Sequence, residues 1–245
     1  MAMALNFLGR PARRAAETAR ATAVAEPTHV PMTDDQRRTV LMAVATLLDY
    51  PGDDAETRWD AVAEALPSLP LEAADPLAGF VAHARAVGKR ALEEHYVDTF
   101  DQKRRCNLYL SYYATGDTRQ RGVALLSFRE MLAAVGLEQD RDELPDHLCV
   151  VCEAAALEPG SPENGDTIAA DVLATHRDGI EVLRHALAGR GSAYAGLLDA
   201  LVTALPPLDE DTRERYLRLV TAGPPAELVG TLELPFPVSN QETRS

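Results

Sequence analysis

Apolar residues in this chain recur at the spacing of a helix face, and nowhere do they alternate with polar ones over the length of a strand. Val40, Leu41, Val44, Leu47 and Leu48 fall near a period of 3.6. Leu125, Phe128, Leu132 and Val135 repeat the pattern, as do Ile168, Val172, Ile180, Leu183 and Leu187. A half-buried sheet needs a period of two, so the expected fold class is all-α. Composition points the same way. Hydrophobic residues make up 46% of the chain but aromatics only 5%. The core must therefore rest on Ala, Leu and Val, and Ala and Leu are strong helix formers and poor strand formers. A chain of 245 residues is long enough for one sizeable core.

Punctuation residues place the boundaries. Thr33 or Asp34 caps a first helix, and Pro51-Gly52 stops it. A short helix around 55–66 carries the only tryptophan, Trp59, and "PSLP" breaks the chain after it. A long helix is expected from about Asp75-Pro76, with proline in the tolerated first turn. From Tyr96 to Tyr113 the pattern reads as helical. Tyr96 and Phe100, Leu108 and Tyr112, and Tyr109 and Tyr113 are each four apart. Gly116 suits a helix end, and Asp117 with Gln120 resembles a capping box for a helix that Gly136 closes. Further helices are expected over 145–157, from Thr167 through Ala188 in one piece, over 192–205 and over 209–220, with "EPGSPENGD" (158–166) as a loop. The sum is a single domain over 32–222 of about eight or nine helices. Residues 1–31 are expected to form a mobile arm, and 223–245 an extended or disordered tail.

Charge narrows the function. The net charge is −14, and residues 1–31 hold four Arg against two acidic residues, a surplus of +2. The rest therefore carries −16, which repels a phosphate backbone and argues against nucleic-acid binding. A basic peptide or partner surface is the better match. Three cysteines do not make a secreted disulfide scaffold. The apolar run "VLMAVATLL" falls far short of the ~20 residues that a membrane helix needs. Arg13-Arg14 is followed by Ala-Ala-Glu-Thr-Ala-Arg, not by an apolar run, so it does not read as an export signal. The expected location is the cytoplasm, without membrane insertion.

Three stretches carry chemistry. "CVVC" puts Cys149 and Cys152 one helical turn apart. A structural zinc site needs four ligands, and only Cys106 and His147 are left to complete one, so buried thiols are the better reading. "QKRRC" (102–106) is a basic knot whose simplest role is a solvated helix face paired with nearby acids. "ELPDHL" (143–148) reads as a helix start. Pro145 sets φ, Asp146 suits the helix dipole, and Leu144 with Leu148 staples the turn to the core. That leaves His147 unexplained, an imidazole beside a carboxylate with no nucleophile in view. Composition and spacing alone thus reach an α-helical protein that binds rather than catalyses.

Two of these stretches carry a resemblance. "YVDTFDQKRRCNLYLSYYATGDTRQRG" followed by "DELPDHLCVVCEAAA" resembles the nitrate reductase molybdenum cofactor assembly chaperones, the NarJ family of TorD-like all-helical chaperones. The wider group's Tyr-x-x-Leu-Phe motif appears as Tyr96 to Phe100, with Thr99 in place of Leu. Its Glu-x-Pro-x-Asp-His motif appears as Glu143, Leu144, Pro145, Asp146, His147, with one residue fewer between Pro and His than that pattern as written. The resemblance implies a non-catalytic chaperone without a cofactor of its own. It would bind the N-terminal segment of the catalytic α subunit of respiratory nitrate reductase. It would hold the apo-enzyme while molybdenum cofactor is inserted, with the proteins of cofactor biosynthesis as further partners. The groove is expected between 96–113 and 143–157. Tyr96, Phe100, Tyr109 and Tyr112 would be its apolar walls, Glu143, Asp146 and His147 would fix the peptide's polar groups with Pro145 between them, and Arg104 and Arg105 would pair with these acids and shape the groove. The alternative is a metal- or cofactor-handling redox protein using Cys149, Cys152 and His147.

Overall fold

The computed structural model describes residues 30–138, 143–159, 168–207 and 209–222. Among these residues the fold is all-α, with eleven α-helices. They are α1 Asp34–Leu48, α2 Ala55–Ala65, α3 Leu71–Val87, α4 Lys89–Tyr96, α5 Leu110–Thr115 and α6 Gln120–Ala134. They continue with α7 Leu148–Leu157, α8 Ile168–Thr175, α9 Arg177–Ala188, α10 Tyr194–Ala204 and α11 Glu210–Ala222. The expected arm lies outside the described residues but for Val30 and Pro31, and the expected tail and most of the 158–166 loop lie outside them too.

At the centre, α10 lies against α3 and α1, and α1 lies against α7. Tyr194, Leu197, Leu198 and Leu201 of α10 are fully buried. Gly196 permits this approach, because a Cβ there would stand 3.2 Å from the Pro76 carbonyl oxygen. The start of α1 forms the capping box in full. Thr33 Oγ1 accepts from the Gln36 N–H at 3.2 Å, and Gln36 Oε1 accepts from the Thr33 N–H at 3.0 Å.

Several boundaries differ from expectation, each for a local reason. The long helix begins at Leu71, so Pro76 lies inside α3 and removes one backbone donor there. It ends at Gly88, whose φ of 80° turns the chain into α4. The segment expected as one helix from 167 breaks at His176, whose φ of −97° and ψ of 18° leave the helical range, giving α8 and α9. These extra breaks raise the helix count. Ile168, expected inward, is half exposed at the first turn of α8. The capping box at Asp117 and Gln120 does not form. Arg119 is the N-cap and supplies no side-chain capping bond, and Asp117 pairs with Arg121 at 3.8 Å. The stretch after Tyr96 is not one helix. It passes through a π turn at Val97–Asp101, a 3-10 turn at Arg104–Cys106 and an extended Tyr109 before α5. Asn107 holds that extension, its side-chain oxygen accepting from the Tyr109 N–H at 2.7 Å.

Behind α10, a buried ion network ties the C-terminal helices. Arg177 and Arg184 both bond Glu181, at 2.9 and 2.7 Å, and Arg184 reaches Asp199 at 2.9 Å. Arg215 of α11 reaches Asp178 of α9 at 3.2 Å.

Candidate functional site

The starts of α5 and α7 meet side by side, 38 residues apart in sequence. Their lead-ins run antiparallel and pair through a single β-bridge between Tyr109 and His147. The Leu110 N–H donates to the Asp146 carbonyl at 2.9 Å, and the Leu148 N–H donates to the Leu108 carbonyl at 2.8 Å. Each lead-in therefore satisfies the first free N–H of the other helix. Asp146 adds its carboxylate. Oδ2 accepts from the Ser111 N–H at 3.2 Å and from the Ser111 hydroxyl at 2.5 Å. Asp146 is 0% exposed. It caps α5 from across the fold instead of sitting in the first turn of its own helix.

The expected helix start at Pro145 is thus corrected. His147 is the N-cap of α7, with φ −66° and ψ 132°, because the bridge to Tyr109 holds it extended. Leu148 is buried as expected, whereas Leu144 stands in solvent.

Tyr109 forms the outer face of this junction. Its ring meets His147 edge-on, centroids 5.2 Å apart, and the Arg121 guanidinium lies 5.3 Å from the ring centroid. Its hydroxyl donates to Glu143 at 3.1 Å. Burial, then the Glu143 carboxylate, push the Tyr109 phenol up to about 12. Glu143 is exposed and His147 is buried.

Beside the junction lies an aromatic cluster. Tyr96 and Phe100 are 4.8 Å apart, and Phe100 meets Tyr194 at 4.9 Å. Tyr50, Phe80 and His95 join the cluster, with His95 stacked on Tyr194 at 5.6 Å and 15°. The π turn after Tyr96 brings Phe100 onto Tyr194. Burial pushes the Tyr96 phenol well above its ordinary value, and Cys149, Asp49 and Glu143 add to the effect. Phe100 is half-buried, whereas Tyr96 is nearly covered.

The structure brings Tyr109, Glu143, Pro145, Asp146 and His147 together and sets Tyr96 and Phe100 beside them. Tyr112 is turned inward against Tyr113, 5.6 Å between centroids. Arg105 is exposed, and the Arg104 side chain lies outside the described residues. Cys106, Cys149 and Cys152 are buried, and burial raises the Cys106 and Cys152 thiols above their ordinary value. Such thiols are poor metal ligands and nucleophiles. Among the described residues, no group of three or more His, Cys, Asp or Glu side chains could hold a metal ion. Three participants carried no sequence signal of their own: Ser111, Arg121 and Tyr194.

Comparison with known proteins places the chain in a family. The model for the nitrate reductase delta subunit matches residues 64–200. The chain belongs to this family. The matched span holds every candidate residue from Tyr96 to His147, and Tyr194 as well. Among similar family proteins, the probable nitrate reductase molybdenum cofactor assembly chaperone NarJ of Bacillus subtilis is 29% identical over 178 residues, covering 71% of this chain and 92% of that protein. NarJ of Escherichia coli K12 is 30% identical over 167 residues, 66% of this chain and 67% of that protein. The nitrate reductase-like protein NarX of Mycobacterium tuberculosis is 33% identical over 176 residues, 72% of this chain. The chain spans only 26% of NarX. Among the described residues of this family member, no helix is long and apolar enough to cross a membrane.

Proposed function

We propose that this chain is an assembly chaperone of a nitrate reductase. It binds the apo form of the catalytic α subunit through that subunit's N-terminal segment, and it supports molybdenum cofactor insertion before the enzyme docks at the membrane. Its role is non-catalytic and cytoplasmic. The observation that carries the reading is the match along 92% of a protein named as a nitrate reductase molybdenum cofactor assembly chaperone.

The geometry supports a division of labour at the junction. Phe100 and Tyr109 offer half-buried aromatic surface, and Glu143 offers an exposed carboxylate beside the Tyr109 hydroxyl. That pairing suits an apolar segment bearing basic residues. Pro145, Asp146 and His147 are buried, so they shape the surface from below.

Calorimetric titration with a synthetic peptide matching the N-terminus of the host's α subunit tests this. Saturable one-to-one binding is expected, weakening as salt rises. Glu143→Lys should lower the affinity by about tenfold or more, with the helical circular dichroism unchanged. Binding that Glu143→Lys leaves intact moves the segment away from this edge. Absence of binding to both the peptide and the intact apo-subunit refutes the chaperone reading.

A further inference from the structure

The Tyr194 ring completes the aromatic cluster, but its hydroxyl is unused there. The residue is 0% exposed, and the hydroxyl has no hydrogen-bond partner among the described residues. A buried donor without an acceptor costs stability, so a fold that keeps one needs a reason. Packing does not supply it. The ring meets Phe80, His95, Tyr96 and Phe100, and a phenylalanine would meet the same four. Burial, then the Cys149 thiol, push the Tyr194 phenol above its ordinary value, so the hydroxyl keeps its proton and stays a donor.

The donor lies on the side of the proposed client surface. Cys149 stands in the first turn of α7, two residues after His147. The same thiol acts on the Tyr96 phenol, as Tyr194 and Glu143 also do. The tips of both tyrosines therefore lie near the start of α7. Of the four rings around Tyr194, Phe80 and Tyr96 are buried, and His95 is tied to the Ser192 hydroxyl at 2.9 Å. Phe100 is half-buried and carries no polar group to anchor it. It meets Tyr194 edge-on, 4.9 Å between centroids, from the π turn Val97–Asp101. Such a turn interrupts regular helical bonding and often marks a functional place. Phe100 is thus the cover that can move without breaking a side-chain hydrogen bond.

We propose that Phe100 is a displaceable plug over Tyr194, and that the Tyr194 hydroxyl is a hidden client-binding donor; the proposal rests on the function proposed above. When the client segment docks, one of its large apolar side chains takes the seat of the Phe100 ring. The Tyr194 hydroxyl then donates to a backbone carbonyl of the segment beside that side chain. A donor left bare in the free chain is satisfied in the complex, so the hydroxyl contributes to affinity and not to folding.

The test uses the full chain and the synthetic peptide matching the N-terminus of the host's α subunit. Tyr194→Phe keeps the ring contacts and removes only the oxygen. The free variant should melt no lower than wild type, yet bind the peptide about tenfold more weakly. In a chain with carbon-13 in its tyrosine and phenylalanine rings, the Tyr194 and Phe100 signals should both shift saturably with peptide. Tyr194→Phe and Phe100→Leu assign them. If only the intact apo-subunit binds, Tyr194→Phe should weaken that binding about tenfold. Wild-type binding that Tyr194→Phe leaves unchanged, or that moves neither signal, overturns this proposal and leaves the chaperone reading standing. So does a Tyr194→Phe chain that melts well below wild type, because the hydroxyl would then be bonded already. Absence of wild-type binding to both the peptide and the apo-subunit overturns the two together.

Discussion

Replacing Asp146 with alanine should unfasten the start of α5. The carboxylate accepts the Ser111 hydroxyl at 2.5 Å and the Ser111 N–H at 3.2 Å, in a site closed to water. A hydrogen bond to a charged group contributes about 1.5–3 kcal/mol net, and an orphaned buried donor costs about 1 kcal/mol or more. Asp146→Ala should therefore cost about 3–4 kcal/mol, a large fraction of the 5–15 kcal/mol typical of a folded domain. Urea unfolding followed by circular dichroism would show a lower midpoint with an unchanged slope. Ser111→Ala keeps the backbone bond and loses only the hydroxyl's bond to the carboxylate, so its cost should be about 1.5–3 kcal/mol. In a double-mutant cycle, Asp146→Asn with Ser111→Ala should show a coupling of about 1–2 kcal/mol. An Asp146→Ala cost below about 1 kcal/mol, or a coupling near zero, would refute the cross-capping role.

Other consequences can be checked separately. Gly179→Ala would put a Cβ 2.8 Å from the Tyr113 ring, whose hydroxyl is anchored to the Asn107 carbonyl at 2.8 Å. It should destabilise the fold by about 1–3 kcal/mol in thermal melts, and an unchanged melting temperature would contradict that packing. Glu181→Ala would leave Arg177 and Arg184 facing each other in the interior, and a loss of about 3–5 kcal/mol is expected in the same urea assay. Stability should also fall as pH rises above about 10. The folded phenols of Tyr96, Tyr109, Tyr113 and Tyr194 hold their protons longer than the unfolded ones, so the unfolded chain binds fewer protons there. For Tyr109 that loss should level off near pH 12, and Tyr109→Phe should remove its share. The three cysteines should resist a thiol reagent in the native chain and all react in guanidinium, since each is buried. Fast native labelling of Cys149 or Cys152 would count against this burial.

Helical class was legible in the sequence because a helix is written locally. Thr33 and Gln36 sit three residues apart, and their capping box forms as the spacing requires. The apolar stripe of α1 is buried along its length for the same reason. The motif at 143–148 was also legible as a special place, since proline, carboxylate and imidazole together are rare in a run of helix formers. What the motif does was not. The spacing suggested a dipole-facing aspartate in the first turn of α7, whereas Asp146 spends its carboxylate on Ser111, 35 residues earlier. No local pattern encodes that partner.

The same division explains the aromatic residues. Tyr96 and Phe100 could be paired from their spacing, but Tyr194 lies in an Ala-rich stretch with nothing to mark it. Only packing α10 against α3 makes it the ring where Phe80, His95, Tyr96 and Phe100 meet. Tyr109 looked like one more residue on a helix face. The fold pulls it into an extended lead-in, because pairing with His147 satisfies backbone groups that two adjacent helix starts would otherwise leave bare. The sequence by itself determined the helical class, the acidic character and the family. The tertiary structure alone decided which helix starts meet, and so which tyrosine and which carboxylate face the solvent together. Helix formation depends on neighbours within a turn, while a site depends on contacts between residues that only the folded chain brings together.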